Sequence, residues 1–250
     1  MQWTDEGIVL GVRRHSESAV VLELMTASHG RHLGLVRGGR SRRMQPVLQP
    51  GNRVSAAWRA RLDEHLGTFT VEPLQHHAAR LYGSSAGLYG LQALAAHLRL
   101  LPERDPHPRL FDMTALLVDH LEEPERAVEL FLRFELMLLD EMGFGLDLRT
   151  CAATGTTQNL IYVSPKSGRA VSAEAGAPWA SRLLALPGFL RDTQSRADAE
   201  GMRKATTLLI HFFERDIHGP RGKPPGPERE AFLEAAFRAM KAADKEPPNE

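Results

Sequence analysis

The first 75 residues or so alternate apolar side chains with polar or small ones, and this pattern constrains the fold more than any other feature. In residues 53–62, for example, Val54 and Trp58 fall on one side of an extended chain and Arg59 on the other. We predict five strands, separated by turn residues, at residues 7–13, 19–25, 31–37, 53–62 and 66–71. Five short strands in so compact a segment predict a small closed barrel.

The rest of the chain predicts helices, at residues 85–101, 110–121, 124–142, 197–216 and 227–243. The helix at 124–142 is apolar on most sides, which predicts that it is central and buried. Residues 144–178 are predicted to be irregular except for a strand at 160–163, and residues 218–227 form a predicted loop. We therefore expect an α+β chain of two domains, a barrel at residues 1–78 and a mostly helical domain at residues 79–246.

The charge of the chain is unevenly distributed. Its 31 basic and 31 acidic residues give a net charge of zero, which taken alone argues against nucleic-acid binding. The first 80 residues, however, hold 11 arginines and 7 acids, and the span between Glu23 and Asp63 holds eight arginines and no acid. No lysine precedes Lys166, so this basic span consists of guanidinium groups, which grip phosphates in a bidentate manner.

This arrangement predicts a phosphate-binding surface, with an ordinary solvated surface as the alternative. On the fourth predicted strand, the arginines lie opposite Trp58, so one face can fill the barrel while the other meets phosphate. We assign Trp58 to the core, with a base-stacking platform as the alternative. The candidate DNA-binding residues are the arginines of the first 61 residues: Arg13, Arg14, Arg31, Arg37, Arg40, Arg42, Arg43, Arg53, Arg59 and Arg61.

Several other classes of protein are disfavoured. The amino terminus lacks the basic and apolar segments of a signal peptide, and no stretch approaches the roughly 18 apolar residues of a membrane span, so we expect a soluble cytoplasmic protein. The single cysteine, Cys151, can form neither an internal disulfide nor a multi-cysteine zinc site. His29 and His32 flank the turn at Gly30, and we expect both on the surface.

Enzymatic motifs are present only in part. Residues 83–87 match the G-x-S-x-G pattern around Ser85, but a helix N-cap is the favoured interpretation because no buried strand precedes the serine. Gly222 and Lys223 are followed by a proline, so they form no phosphate-binding loop, and the glycines near residue 143 lack the third glycine of a dinucleotide motif. We therefore expect no enzymatic activity and no cofactor.

The order and spacing of several short segments resemble the RecO family of recombination mediators. These segments span nearly the whole chain, at residues 5–10, 13–18, 29–30, 36–40, 48–51 and 138–144. The resemblance implies an N-terminal OB-fold followed by a helical domain. It implies a protein that binds single- and double-stranded DNA and anneals complementary strands without ATP. The implied partners are RecR, the acidic C-terminal tail of single-strand-binding protein and, indirectly, RecA, at the bacterial nucleoid.

Two alternatives to this function remain open. One is an OB-fold module that binds RNA or another protein without annealing activity, and the other is a hydrolase that uses Ser85. Strand annealing without ATP would favour the mediator, whereas loss of an esterase activity in Ser85→Ala would favour the hydrolase.

Many members of the resembled family carry a four-cysteine zinc module, and this chain departs from that pattern. Cys151 stands at the first ligand position, Thr154 replaces the second cysteine, and Ser172 and Ala175 occupy plausible places for the second pair. One thiolate among these residues cannot build a tetrahedral zinc site. We predict a degenerate, metal-free module at residues 144–178, held by packing around residues such as Tyr162 and Trp179.

A partner site is predicted in the helical half, where a basic rim beside an apolar pocket would suit the acidic tail of single-strand-binding protein. Ordinary helix amphipathicity explains the same pattern. The candidate rim consists of Arg196, Arg203 and Lys204, and the candidate pocket of Leu208, Leu209 and Phe212.

Overall fold

The structure, a computed structural model, describes residues 1–192 and 194–243. It comprises two compact units, one formed by Met1–Ala127 together with the segment that begins at Pro227, the other by Val128–Gly226. The first unit thus includes the barrel and several helices that follow it. The predicted domain boundary after residue 78 stays a prediction, and the predicted end of the second domain at residue 246 lies outside the described residues.

The first five strands close into the predicted barrel. They are β1 (Gln2–Arg14), β2 (Val20–Thr26), β3 (Gly30–Val36), β4 (Arg53–Arg59) and β5 (Thr68–Gln75). Their order around the barrel is β1-β2-β3-β5-β4, with β3 and β5 parallel and the other pairs antiparallel. A bulge between Val9 and Gly11 lets the long β1 strand pair with β4 along its first half and with β2 along its second half. This five-stranded closed barrel has the OB-fold architecture that was expected.

Alternation fills the barrel interior as predicted. Trp58 is 1% exposed, and its indole Nε1 donates to the Leu66 carbonyl at 3.0 Å, so it belongs to the core and offers no face to a base. Gly67 has a φ of +65°, and a Cβ there would lie 2.4 Å from Nε1 of Trp58. A glycine is required at this position because the backbone is left-handed and the indole leaves no room for a side chain.

Helices complete the first unit. They are α1 (Ala78–Leu81), α2 (Ser85–Leu98), α3 (Pro108–His120) and the C-terminal α8 (Glu228–Ala243), while α4 (Pro124–Glu141) begins here. The Ser84 hydroxyl caps α2 by accepting a hydrogen bond from the Gly87 amide at 2.9 Å. Because the short helix α1 precedes this serine-rich turn, the strand-to-helix elbow of a hydrolase is absent at Ser85.

The second unit surrounds the rest of α4, whose apolar residues are buried as predicted. A small sheet has the order β7-β6-β8, with β6 at Leu160–Val163, β7 at Ala170–Ser172 and β8 at Leu184–Ala185. Strand β6 has the predicted bounds, whereas β7 and β8 were not predicted because three and two residues are too short to show a period. Short helices follow, with α5 at Ala173–Gly176 and 3₁₀ turns at Ala177–Arg182 and Gly188–Leu190.

The predicted helix at 197–216 differs in the structure. Helix α6 spans Ala199–Phe212, with Asp198 as its N-cap, and a π-helical turn continues it over Phe213–His218. Another helical turn, α7 (Gly219–Arg221), occupies the start of the predicted loop at 218–227. Among the residues that the structure describes, no helix is long and apolar enough to cross a membrane.

Candidate nucleic-acid interface

Exposed arginines converge on one side of the barrel. Arg37 and Arg59 line a single cleft of about 770 Å³, together with residues of β1, β4 and β5. A second depression shares Gln2 and Arg59 with this cleft and adds Arg61. We call the combined surface the arginine groove. Its other lining residues include the polar, uncharged Gln2, Thr4, Thr68 and Thr70.

No acid lies among the described residues that line the arginine groove. Uncompensated guanidinium groups beside hydroxyl and amide side chains offer hydrogen-bond donors to phosphate oxygens and present little repulsion. The groove therefore has the electrostatic character that a DNA backbone requires.

A second basic element adjoins the groove. We call residues 37–52 the arginine loop; Met44, in its middle, also lines the groove. The backbone coils in helical turns, since the Gln45 amide donates to the Ser41 carbonyl at 3.0 Å. Arg42 and Arg43 are exposed, and neither side chain has a hydrogen bond or ion pair among the described residues.

Arg40 has a different role from its neighbours. Its guanidinium donates to the carbonyl oxygens of Ser16 and Glu17 in the turn between β1 and β2. This contact ties the arginine loop to the first hairpin, so we expect Arg40 to position the loop more than to bind phosphate.

Two of the predicted DNA-binding arginines are held in ion pairs. Arg31 is 11% exposed, and its Nη1 lies 2.9 Å from Oε1 of Glu23. Arg53 donates from Nε to Glu6 at 2.6 Å. Both acids precede the acid-free span in sequence and meet these arginines only through strand pairing and side-chain reach. These two arginines are therefore less available to phosphate than their sequence neighbours suggested.

Arg13 and Arg14 are exposed at the end of β1. Arg13 lines a separate cleft of about 470 Å³ that also contains Glu23, Arg31 and Arg99. Arg99, on the turn after α2, donates to Glu23 at 2.8 Å and was not among the predicted residues. Its distance in sequence from the basic span left no local signal of this contact.

His32 was predicted on the surface, and this prediction is wrong. The ring is 2% exposed inside the barrel, because β3 alternates and His32 falls on its inward face. Edge-on contacts place it 5.1 Å from Trp3 and 4.9 Å from Trp58, measured between ring centroids. Neither ring nitrogen has a hydrogen-bond partner. Burial lowers the pKa of His32 to about 4, and the nearby charges of Arg104 and His29 lower it further, against an opposing effect of Asp63.

His29 lies closer to the surface, as predicted. It stacks on Trp3 with the two rings 4.0 Å apart, and its Nδ1 lies 2.9 Å from a carboxylate oxygen of Asp5.

The Cys151 region fits a zinc ion poorly. The Sγ of Cys151 accepts a hydrogen bond from the Ser172 amide at 3.3 Å and lies 3.7 Å from its hydroxyl. Burial alone would raise the pKa of this thiol, but hydrogen bonds from Thr154, Ala153 and Ser172 outweigh burial and lower the pKa to about 6. Thus the positions of the missing cysteines do cluster around Cys151, but they supply amide and hydroxyl groups instead of thiolates. Over residues 1–192 and 194–243, no group of three or more metal-ligating side chains occurs.

The packing predicted for this region is only partly correct. Tyr162 is half-buried against Gly176, where an added Cβ would lie 2.5 Å from its ring. Trp179 is 57% exposed and does not hold the module, because it lies on a 3₁₀ turn whose residues all remain accessible.

The predicted apolar pocket for a partner tail is wrong. Leu208, Leu209 and Phe212 are fully buried, so they cannot line an open pocket; helix α6 turns them inward because they follow its helical repeat. Arg196 and Arg203 are exposed, as is Lys204, which forms an ion pair with Glu200 one turn earlier.

Comparisons with known proteins agree with this architecture. Residues 1–77 match the family model described as Recombination protein O N terminal, and residues 86–225 match Recombination protein O C terminal. The chain is 57% identical over 248 residues to the DNA repair protein RecO of Sinorhizobium medicae, covering 99% of this chain and 100% of that protein. It is 57% identical over 241 residues to the DNA repair protein RecO of Brucella abortus, covering 96% and 98%. The DNA repair protein RecO of Mesorhizobium japonicum is 58% identical over 246 residues, covering 98% and 97%. The chain belongs to the RecO family of DNA repair and recombination proteins.

Proposed function

We propose that the protein binds single- and double-stranded DNA through the arginine groove and the arginine loop, and anneals complementary strands without ATP. The observation that carries this proposal is the convergence of Arg37, Arg59 and Arg61 on one groove without an acid. Arg42 and Arg43 extend the same basic surface along the loop.

The geometry suits annealing because it engages backbones and leaves bases free. Guanidinium groups bind phosphate oxygens without reading sequence, which neutralises the repulsion between two strands as they approach. The Watson–Crick edges then remain available to the complementary strand. Duplex formation is itself favourable, so the reaction requires neither a nucleotide nor an enzymatic step.

A triple variant of the groove tests this proposal. We expect Arg37→Ala, Arg59→Ala and Arg61→Ala combined to weaken binding of a fluorescent oligonucleotide. For single strands, each lost phosphate contact lowers the slope of log affinity against log salt by about 0.7. The matched control is Arg109→Ala, which removes an exposed arginine of α3 outside the groove.

Strand annealing provides the functional readout. Two complementary oligonucleotides labelled for energy transfer should anneal faster with the wild-type protein, without ATP, and the triple variant should lose most of this acceleration. Wild-type affinity, salt slope and annealing rate in the triple variant would contradict the proposal. Binding without annealing would instead favour an OB-fold module that only interacts with nucleic acid or protein.

We also propose that the protein acts with RecR to load RecA onto DNA covered by single-strand-binding protein, in the cytoplasm at the nucleoid. Membership in the family supports this role. The exposed cations Arg196, Arg203 and Lys204 remain proposed contacts for the acidic tail of single-strand-binding protein. The test is annealing of DNA covered by full-length single-strand-binding protein or by a form without that tail. Equal rates on the two substrates would contradict a role for the tail.

A further inference from the structure

A tyrosine outside the barrel is connected to the arginine loop by hydrogen bonds. The hydroxyl of Tyr82, which follows α1, donates to Oε1 of Gln49 at 3.4 Å. The Gln49 side-chain amide donates to the Gln45 carbonyl at 2.9 Å, and that of Gln45 donates to the Arg40 carbonyl at 3.0 Å. The ring of Tyr82 is thus one end of a continuous polar surface that leads to the exposed arginines.

Asn52 fixes the loop relative to this tyrosine. Its buried side-chain amide donates to the carbonyls of Pro46 and Val47 at 2.7 and 3.1 Å, and its Oδ1 accepts from the Ala78 amide at 3.0 Å. Because Ala78 begins the four-residue helix that Tyr82 follows, the loop and the aromatic ring are held together by one buried side chain.

The side chain of Tyr82 is 42% exposed, whereas Trp58 and Phe69 of the barrel are buried and unavailable for stacking. Arg42 and Arg43 lie on the loop to which it is joined. From this geometry, and given the proposed DNA-binding function, we infer that Tyr82 stacks on an unpaired base of a single strand whose phosphates lie along the arginine loop.

Stacking on Tyr82 has two chemical consequences. Every base has a π-face, so the contact is indifferent to sequence and leaves the Watson–Crick edge open to a complementary strand. A base inside a duplex offers no free face, so the contact is restricted to single strands. Tyr82 therefore adds a preference for unpaired DNA to a surface that otherwise binds any phosphate backbone.

The test separates stacking from charge by removing the bases. Binding of Tyr82→Ala is measured by fluorescence anisotropy to a 20-nucleotide thymidine strand and to an abasic strand of the same length. We expect a loss of about fivefold or more on the thymidine strand, within the effect of removing one stacking aromatic. Tyr82→Phe retains the ring and should bind like the wild type, and the abasic strand should bind both variants equally.

The matched control is Tyr89→Ala. Tyr89 is 37% exposed on α2, and among the described residues its side chain has no hydrogen bond to the arginine loop. Its removal should leave both affinities unchanged. Tryptophan fluorescence during thermal unfolding confirms that each variant is folded before binding is measured.

Two results would overturn the inference. One is unchanged thymidine-strand binding in Tyr82→Ala, and the other is an equal loss on the thymidine and abasic strands, which would indicate a displaced loop. In either case, weaker binding by the groove triple variant would leave the proposed function standing. If the triple variant also binds like the wild type, the proposed function fails with it.

Discussion

The buried imidazole of His32 predicts that the barrel loses stability in mild acid. The ring is neutral in the folded protein because burial lowers its pKa from 6.5 to about 4. In the unfolded chain the ring regains its ordinary pKa. Between these two values the unfolded state binds more protons than the folded state, so the free energy of unfolding falls as the pH falls from 6.5 towards 4.

The size of this effect follows from the difference in pKa. Each tenfold difference in proton affinity corresponds to about 1.4 kcal/mol, so the full contribution of His32 is about 3 kcal/mol. Between pH 8 and pH 5, where most of the unfolded rings become charged, the expected loss is about 2 kcal/mol. This is a large share of the roughly 5–15 kcal/mol that stabilises an ordinary domain.

The perturbation is His32→Leu, which removes the titrating group and also its two unpartnered ring nitrogens. Urea unfolding is followed by tryptophan fluorescence at pH 8 and pH 5. This signal reports on the barrel, because Trp3 and Trp58 lie there while Trp179 is exposed elsewhere. We expect the wild type to lose about 2 kcal/mol more than the variant between these pH values.

Other titrating groups cancel in this comparison. Burial also lowers the pKa of His77, but that group is present in both proteins. His15→Gln, at an exposed position in the turn after β1, is the matched control and should keep the wild-type pH dependence. If His32→Leu and the wild type lose equal stability on acidification, the reasoning from burial is refuted.

Three further predictions concern packing and the lone cysteine. Gly67→Ala should destabilise the barrel by about 1–3 kcal/mol in urea unfolding, because it places a Cβ in left-handed backbone against Trp58; no change would contradict the crowding described. Asn52→Ala should cost about 2–4 kcal/mol by the same assay, since it breaks three hydrogen bonds at a buried position; a neutral outcome would show that the loop is not held there. Purified protein should contain no stoichiometric zinc by elemental analysis, and thiolate absorbance should show Cys151 titrating near pH 6; bound zinc or a pKa of 8 to 9 would contradict the described environment.

The barrel was predictable because its strands obey a local rule. Alternation placed Trp58 inward and Arg59 outward before any tertiary contact was known, and both placements are confirmed. Burial of α4 was equally local, since its apolar residues cover most of the helical surface. The same rule applied to β3 would have placed His32 inside, but the polarity of histidine outweighed the alternation in that interpretation.

Availability of charge was not predictable from local sequence. An acid-free span of eight arginines appeared uncompensated, yet Glu6 and Glu23 reach two of its members, Arg53 and Arg31, across the strands. The apolar residues proposed as a pocket on α6 were likewise apolar because they are buried. Burial and exposure of an amphipathic face depend on which elements pack against it, and the sequence of the helix does not contain that information.

By itself, the sequence determined the closed barrel, the helical remainder and the sign of the charge on the first unit, because backbone periodicity and residue counts are local properties. Tertiary structure alone decided which arginines remain free. It brought Arg37, Arg59 and Arg61 together on one groove and joined Tyr82 to the arginine loop. The physical reason is that ion pairing, burial and convergence depend on distances between residues far apart in the chain, which only the closed fold establishes.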